Sequence, residues 1–277
     1  MMHSAFLTVS PSRLLVFGLV TRRKVVASKV LAINNELGRR REVATDAAQF
    51  SGCASASALM CGGAAKALCA SGFAVVRGAL REQDASALAR DMSALADSGA
   101  LAATVQAKMN TRQDDIGWLD EREAASKGLR ALSGAIRLLK AVAAEAVATG
   151  AASAAGAAAL AVPQRAMVAC YPPGGAAYVP HMDCSVKDGK PTNRRVLTCC
   201  LYANERWDAR EDGGCLRLLI GGKGGAIEDA LEVAPEAGTL VIFRSREMLH
   251  EVLATRGRRR LAITLWLFDT LSPSNIA

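Results

Sequence analysis

The spacing of apolar positions changes character once along the chain. In "REQDASALARDMSALADSG" Leu88, Met92 and Leu95 recur at intervals of four and three, which predicts an amphipathic helix closed by Gly99. A longer helix is predicted from about Glu121 to Thr149, with Leu129, Leu132, Ile136, Leu139 and Val142 on one buried face. Ahead of both, a short helix near Lys66 leads into "GFAVVRGAL" (Gly72–Leu80), a β-branched strand opened by glycine. After Pro163 the helical period stops. Short β-rich runs follow at close spacing: "RAMVACY", "AAYVPHMD", "RRVLTCCLYA", "GGCLRLLI", "LEVA", "GTLVIFRS", "HEVLAT" and "RRLAITLWLF". Helices first and short strands later predict an α+β fold, a double-stranded β-helix (jelly-roll) barrel flanked by N-terminal helices.

Three regions follow: a poorly ordered basic leader over 1–65, a helical and strand support over 66–162, and the β core over 163–277. "ATGAASAAGAAALA" (Ala148–Ala161) is low in complexity and reads as a loop or frayed helix. Composition sharpens the first boundary. Of 34 Lys/Arg and 26 Asp/Glu, residues 1–42 hold eight basic and two acidic groups, leaving 26 and 24 in the remainder, or +2. A nearly neutral body argues against a nucleic-acid partner, which needs a clustered basic face. The apolar run Leu14–Val20 is too short to cross a bilayer, so no membrane span is expected. The leader has the composition of an organellar targeting segment or of a disordered arm. Without a C-x-x-C pair, the eight cysteines read as reduced, mostly buried thiols. Cytoplasm and/or nucleus is the expected compartment, and organellar targeting through the leader is the alternative.

Chemistry concentrates in the β region. His181 and Asp183 stand at i and i+2 of a strand, so both side chains leave the same face. The only other histidine in the folded body is His250. Two histidines and one carboxylate form the facial triad of non-haem Fe(II) oxygenases, which leaves coordination positions open. Zinc hydrolases use similar donors, but H-E-x-x-H is absent here. Alone, the pair His181/Asp183 reads better as a turn cap, with His250 a satisfied surface residue. What separates the readings is "RLAITLW", where Arg260, Ala262, Thr264 and Trp266 share one strand face. An arginine aimed into an apolar barrel is costly unless it meets an anion, and its fork matches a carboxylate. "GGKGG" (Gly221–Gly225) lacks the phosphate-loop pattern and reads as a plain loop.

From about Asp114 onward the chain resembles the EGL-nine, or hypoxia-inducible-factor prolyl 4-hydroxylase, family. The stretches that carry the resemblance are "DDIGWLD", "RAMVACYPPGGAAYVPHMD", "RRVLTCCLYANERWDAREDGGCLRL" and "HEVLATRGRRRLAITLWLFD". The resemblance implies a 2-oxoglutarate-dependent dioxygenase that uses Fe(II), 2-oxoglutarate and O₂, is assisted by ascorbate, and 4-hydroxylates a proline in a protein substrate. It implies His181, Asp183 and His250 as iron ligands, and Arg260 with Tyr202 at the far carboxylate of 2-oxoglutarate. Tyr171, Thr264 and Leu216 are implied as further pocket positions, and Arg195, Trp266 and Tyr178 as substrate positions. Counting forward from His250 points to Arg259, whereas counting back from Trp266 points to Arg260, the choice that strand parity favours. The segment from Asp183 to Thr198 is longer than the family pattern, which leaves Arg194 as the alternative to Arg195. A monomer is expected. The same chemistry on a non-prolyl or small-molecule substrate, or a non-catalytic metal- or 2-oxoglutarate-binding sensor, are the rival readings.

Overall fold

A computed structural model of the chain describes residues 55–104, 111–152, 159–221 and 227–270. Most of the 1–65 leader, Cys53, the centre of Ala148–Ala161 and most of "GGKGG" lie outside the described residues. Among the described residues helical structure begins at Ala56, ahead of the expected start near Lys66. It runs as Ala56–Leu59, a π turn over Met60–Ala64, and Ala65–Ser71, with the Ser55 hydroxyl accepting from the Ala58 N–H at its start.

Strand β1 (Phe73–Val76) precedes helix α1 (Glu82–Asp97), which buries Leu88, Met92 and Leu95 as their spacing requires. The long helix expected over 121–149 is broken. A short helix, Glu121–Ser126, is capped reciprocally by Asp120 and Glu123; Gly128 then takes a φ of 79°, and α2 (Arg130–Ala148) starts afresh. A left-handed glycine ends a helix because the chain cannot continue its hydrogen bonds past that conformation. The predicted stripe survives the break: Leu129, Leu132, Ile136, Leu139 and Val142 are all buried.

Strands β2 (Asp115–Leu119), β3 (Ala166–Tyr171), β4 (Tyr178–His181), β5 (Val186–Lys187) and β6 (Lys190–Pro191) come next. β7 (Arg195–Tyr202), β8 (Leu216–Gly221), β9 (Ile227–Val233), β10 (Leu240–Arg244), β11 (Leu249–Val252) and β12 (Arg260–Asp269) complete the chain. The major sheet has the order β1-β10-β7-β12-β3-β2, extended at its edge by Ala102–Ala103, with Leu160–Ala161 paired to the end of β12. The minor sheet is β9-β8-β11-β4. The jelly-roll expectation is met as two antiparallel sheets rather than a closed barrel.

The strands β1, β10, β7, β12 and β3 of the major sheet are buried on both faces, because two cores flank them. On one side Leu197, Cys199, Leu201, Ile263 and Leu265 pack with α1 and α2. On the other, Cys200, Tyr202, Ala262 and Trp266 pack with Leu216, Leu218 and Val252 of the minor sheet. Side chains alternate along a strand, so residues one position apart in β7 and β12 serve different cores. The chemistry-bearing residues occupy the inner one.

Candidate metal centre and active site

Strand pairing builds the centre. β11 pairs β4 so that His250 lies opposite His181, and β8 places Leu218 opposite His250 on its other side. Asp183 follows β4 by two residues. One donor atom from each of His181, Asp183 and His250 lies within 4.8 Å of the others. The Nε2 atoms stand 3.8 Å and 3.9 Å from the two Asp183 oxygens.

Both imidazoles are oriented by their other nitrogen. His181 Nδ1 is 2.8 Å from the Val179 carbonyl and His250 Nδ1 is 2.9 Å from that of Met248. A carbonyl can only accept, so Nδ1 carries the proton in each ring and Nε2 presents its lone pair inward. Burial, reinforced by the neighbouring His250, lowers the His181 pKa to about 4, keeping the ring neutral as ligation requires. Burial pushes Asp183 up, but His250, the Thr198 hydroxyl and Arg195 together hold its carboxyl below the ordinary range. Thr198 Oγ1 donates to Asp183 Oδ2 at 2.7 Å and is itself 2.8 Å from Ser245 Oγ. Because the Thr198 proton is committed to a carboxylate, Ser245 donates to Thr198. Two imidazoles that turn Nε2 inward and one oriented carboxylate suit Fe(II).

Beside this centre lies a buried guanidinium. Arg260 is 2% exposed, and its Nε donates to the Gly214 carbonyl at 2.8 Å. The Tyr171 and Tyr202 rings flank it at 5.1 Å and 4.9 Å. Among the described residues no carboxylate pairs with Arg260, and the buried Tyr202 hydroxyl has no hydrogen-bond partner. An uncompensated buried cation and an unpartnered hydroxyl fit an anionic ligand such as a 2-oxoglutarate carboxylate. Arg259 points the other way, to Asp97 of α1 at 2.6 Å. Strand parity therefore places Arg260, not Arg259, in the inner core.

The remaining expected positions converge here too. Thr264 donates to Cys200 Sγ at 3.7 Å, and Leu216 belongs to the same inner core. The Tyr178 ring stacks on His181 at 3.6 Å. Arg195 lies over the Trp266 ring at 3.9 Å, with Nη1 3.8 Å from Asp183 Oδ1. Arg194 is an exposed residue whose carbonyl accepts from the Asp269 N–H.

Several contributors were missed in the sequence. Thr198 shares the inner face with Cys200 and Tyr202, so parity could have found it; Ser245 carries no such signal. Arg112 and Asp114 form a buried pair, with the guanidinium also over the Tyr178 ring at 5.2 Å. Trp118, 40% exposed, leans on Trp266 at 5.8 Å. A cavity of about 540 Å³ lies elsewhere, bounded by Ala89, Ser93, Trp207 and Arg258 on the α1 side. It contains none of these groups.

Comparison with known proteins agrees with this geometry. A family profile described as "2OG-Fe(II) oxygenase superfamily" matches residues 166–268. A prolyl-4-hydroxylase structure from Pseudomonas putida is 30% identical, with 76% of this chain and 99% of that one covered and a TM-score of 0.55. The hypoxia-inducible factor prolyl hydroxylase of Caenorhabditis elegans is 42% identical over 106 residues, which is 38% of this chain and 13% of that protein. Egl nine homolog 1 of Homo sapiens is 41% identical over 38% of this chain and 22% of its own length. The chain thus spans well under half of these curated relatives. A Trichoplax adhaerens prolyl hydroxylase, solved in complex with a hypoxia inducible factor peptide fragment, shares the fold. It is 24% identical, with a TM-score of 0.59 and coverage of 74% of this chain and 87% of that one.

Proposed function

The chain belongs to the 2OG-Fe(II) oxygenase superfamily, in its prolyl hydroxylase branch, and on that premise we propose that it 4-hydroxylates a prolyl residue in a protein substrate. The observation that carries the reading is the convergence of His181, Asp183 and His250 within 4.8 Å, two of them buried.

When bound, Fe(II) and 2-oxoglutarate supply the oxidation: O₂ decarboxylates 2-oxoglutarate to succinate and CO₂, and its second oxygen atom goes to the substrate carbon. The protein's contribution is placement. His181 and His250 present Nε2 lone pairs held by the Val179 and Met248 carbonyls. Asp183 keeps its charge through Thr198. Arg260 and Tyr202 bind the far carboxylate, and Thr264 and Tyr171 close the pocket around it. Leu216 supplies an apolar wall that excludes water. Trp266, Arg195 and Tyr178 form the surface against which the substrate ring is set.

The remaining parts of the proposal rest on the family resemblance for ascorbate and on composition for the compartment and the leader. Ascorbate keeps the iron reduced, the chain acts as a monomer, and it works in the cytoplasm and/or nucleus, with residues 1–65 a candidate targeting segment.

The test is succinate release with Fe(II), 2-oxoglutarate and a proline-containing peptide, with mass spectrometry locating the added oxygen. Oxygen on proline, and loss of both signals in His250→Ala, are expected. Turnover that survives His250→Ala would sink the ligand assignment, and oxygen on another residue would sink the prolyl assignment.

A further inference from the structure

The segment between Asp183 and β7, expected as a lengthened loop, is a hairpin. Val186 pairs with Pro191 and Lys187 with Lys190, so only Asp188 and Gly189 form the turn. Their φ values of 52° and 74° are both positive, which is the type I′ turn that Asp-Gly favours.

The base of this hairpin is fastened to the metal centre. The Asn193 side chain donates to the Asp183 carbonyl at 2.8 Å and accepts from the Arg195 N–H at 2.9 Å. Cys184 N–H donates to the Ser245 carbonyl, the Cys184 thiol to the Asn193 carbonyl, and Ser185 meets Thr192 at 3.1 Å. The tip, in contrast, is exposed: Val186 is 59% accessible, and Lys187, Asp188, Gly189 and Lys190 are exposed as well.

The charge arrangement at the tip is unfavourable on its own. Lys187 and Lys190 are direct cross-strand partners, so their Cβ atoms lie about 5 Å apart on one face, where like charges repel. Neither is ion-paired to a described carboxylate. Within the hairpin, Val186–Pro191, these two cations stand beside one anion, Asp188, a net +1. An opposed lysine pair on a hairpin tied at its base to the active site is complementary to carboxylates that arrive with the substrate.

We propose that this hairpin is a specificity element that binds an acidic stretch of an extended protein substrate, next to the residue being hydroxylated. The inference rests on reading the site as a protein hydroxylase. Lys187 lies four residues beyond Asp183. At about 3.3 Å per residue it reaches at most ~13 Å from that ligand. The acidic residues therefore lie within about four positions of the target in an extended substrate.

The test uses the full chain with Fe(II) and 2-oxoglutarate under anaerobic conditions. Fluorescein-labelled peptides with one central proline carry Asp/Glu, Gln or Lys within four positions of it, and fluorescence anisotropy gives each Kd. The acidic peptide should bind about 5-fold tighter than the neutral one at low ionic strength, and the gap should close in 0.5 M salt, as exposed ion pairs require. K187E/K190E should reverse the order, so that the lysine-flanked peptide binds best; a misfolded variant would not gain that preference. Equal binding of all three peptides, no binding of any, or an order unchanged in K187E/K190E overturns the proposal. Self-association that light scattering detects and K187E/K190E abolishes would also overturn it, by assigning the tip to a second copy of the chain. Admission of air separates the two claims. Oxygen on a non-prolyl residue of the acidic peptide sinks the prolyl reading and leaves the hairpin inference standing. Proline hydroxylated equally in all three peptides does the reverse.

Discussion

Replacing Thr198 by valine removes one hydroxyl from the buried space behind Asp183 and keeps the side chain's shape. Thr198 is 2% exposed and Asp183 8% exposed, so water does not readily replace the lost donor. The deleted contact is the 2.7 Å hydrogen bond to Asp183 Oδ2, and with it goes the acceptor of Ser245 Oγ. A hydrogen bond to a charged group contributes about 1.5–3 kcal/mol. Since ~1.4 kcal/mol corresponds to tenfold in an equilibrium constant, Fe(II) affinity should fall between about 10-fold and 100-fold, the range expected when a ligand loses its orienting partner. Anaerobic titration calorimetry with Mn(II) as the probe measures this directly, and circular dichroism checks that the metal-free protein remains folded. Folded Thr198→Val protein with a metal Kd within twofold of the parent would refute the claim that Thr198 holds Asp183 for ligation.

Three further outcomes follow from the same geometry. Tyr202→Phe deletes a buried hydroxyl that has no protein partner, so Tm should hold or rise while KM for 2-oxoglutarate increases roughly 10-fold; a lower Tm with unchanged KM would contradict the assigned contact. Gly213→Ala places a Cβ against the Ala254 carbonyl oxygen at a φ of 66°, and urea denaturation should show a loss of roughly 2–3 kcal/mol; a loss under 0.5 kcal/mol would be inconsistent with that crowding. The metal-free protein should also lose stability in acid. His181 titrates near 4 when folded and at the ordinary 6.5 when unfolded, so the unfolded chain binds the extra proton between those values and stability falls as pH drops through that window. By pH 5 the loss is about 2 kcal/mol. Urea midpoints at pH 7 and 5 check it, and an identical slope in His181→Asn would assign the effect elsewhere.

How much of this was legible depended on whether a feature lives in local pattern or in three-dimensional pairing. Strand parity placed Arg260 with Thr264 and Trp266 and turned Arg259 outward, because alternation is a property of the backbone alone. The core stripe of α2 was legible for the same reason. The break at Gly128 was not, since one glycine inside an apolar period is tolerated in many helices and ends one only where the chain must turn. Asp188-Gly189 is a strong hairpin signal, yet the surrounding "SVKDGKPT" has no alternating apolar run to mark two strands. Ser245 and the Arg112–Asp114 pair reach the centre only through tertiary contact.

The pairing of β4 with β11 determines whether these residues form a site at all. His250 faces His181 directly, and a slip of one residue would turn one imidazole to the opposite face of the sheet. Such a short pair holds few bonds of its own, and its register is irregular between His250 and Val252. Register is therefore imposed from both ends. Beyond β11, the Gly214 N–H donates to the Ala254 carbonyl, and the Gly214 carbonyl accepts from Arg260. Beyond β4, Asn193 ties the Asp183 carbonyl to the start of β7. The elements that fix the metal ligands are thus the ones that carry the 2-oxoglutarate arginine on one side and the hairpin on the other. The hairpin that carries Lys187 and Lys190 is hydrogen-bonded through Asn193 to the carbonyl of Asp183, so the proposed substrate contact and the metal ligand share one stretch of backbone.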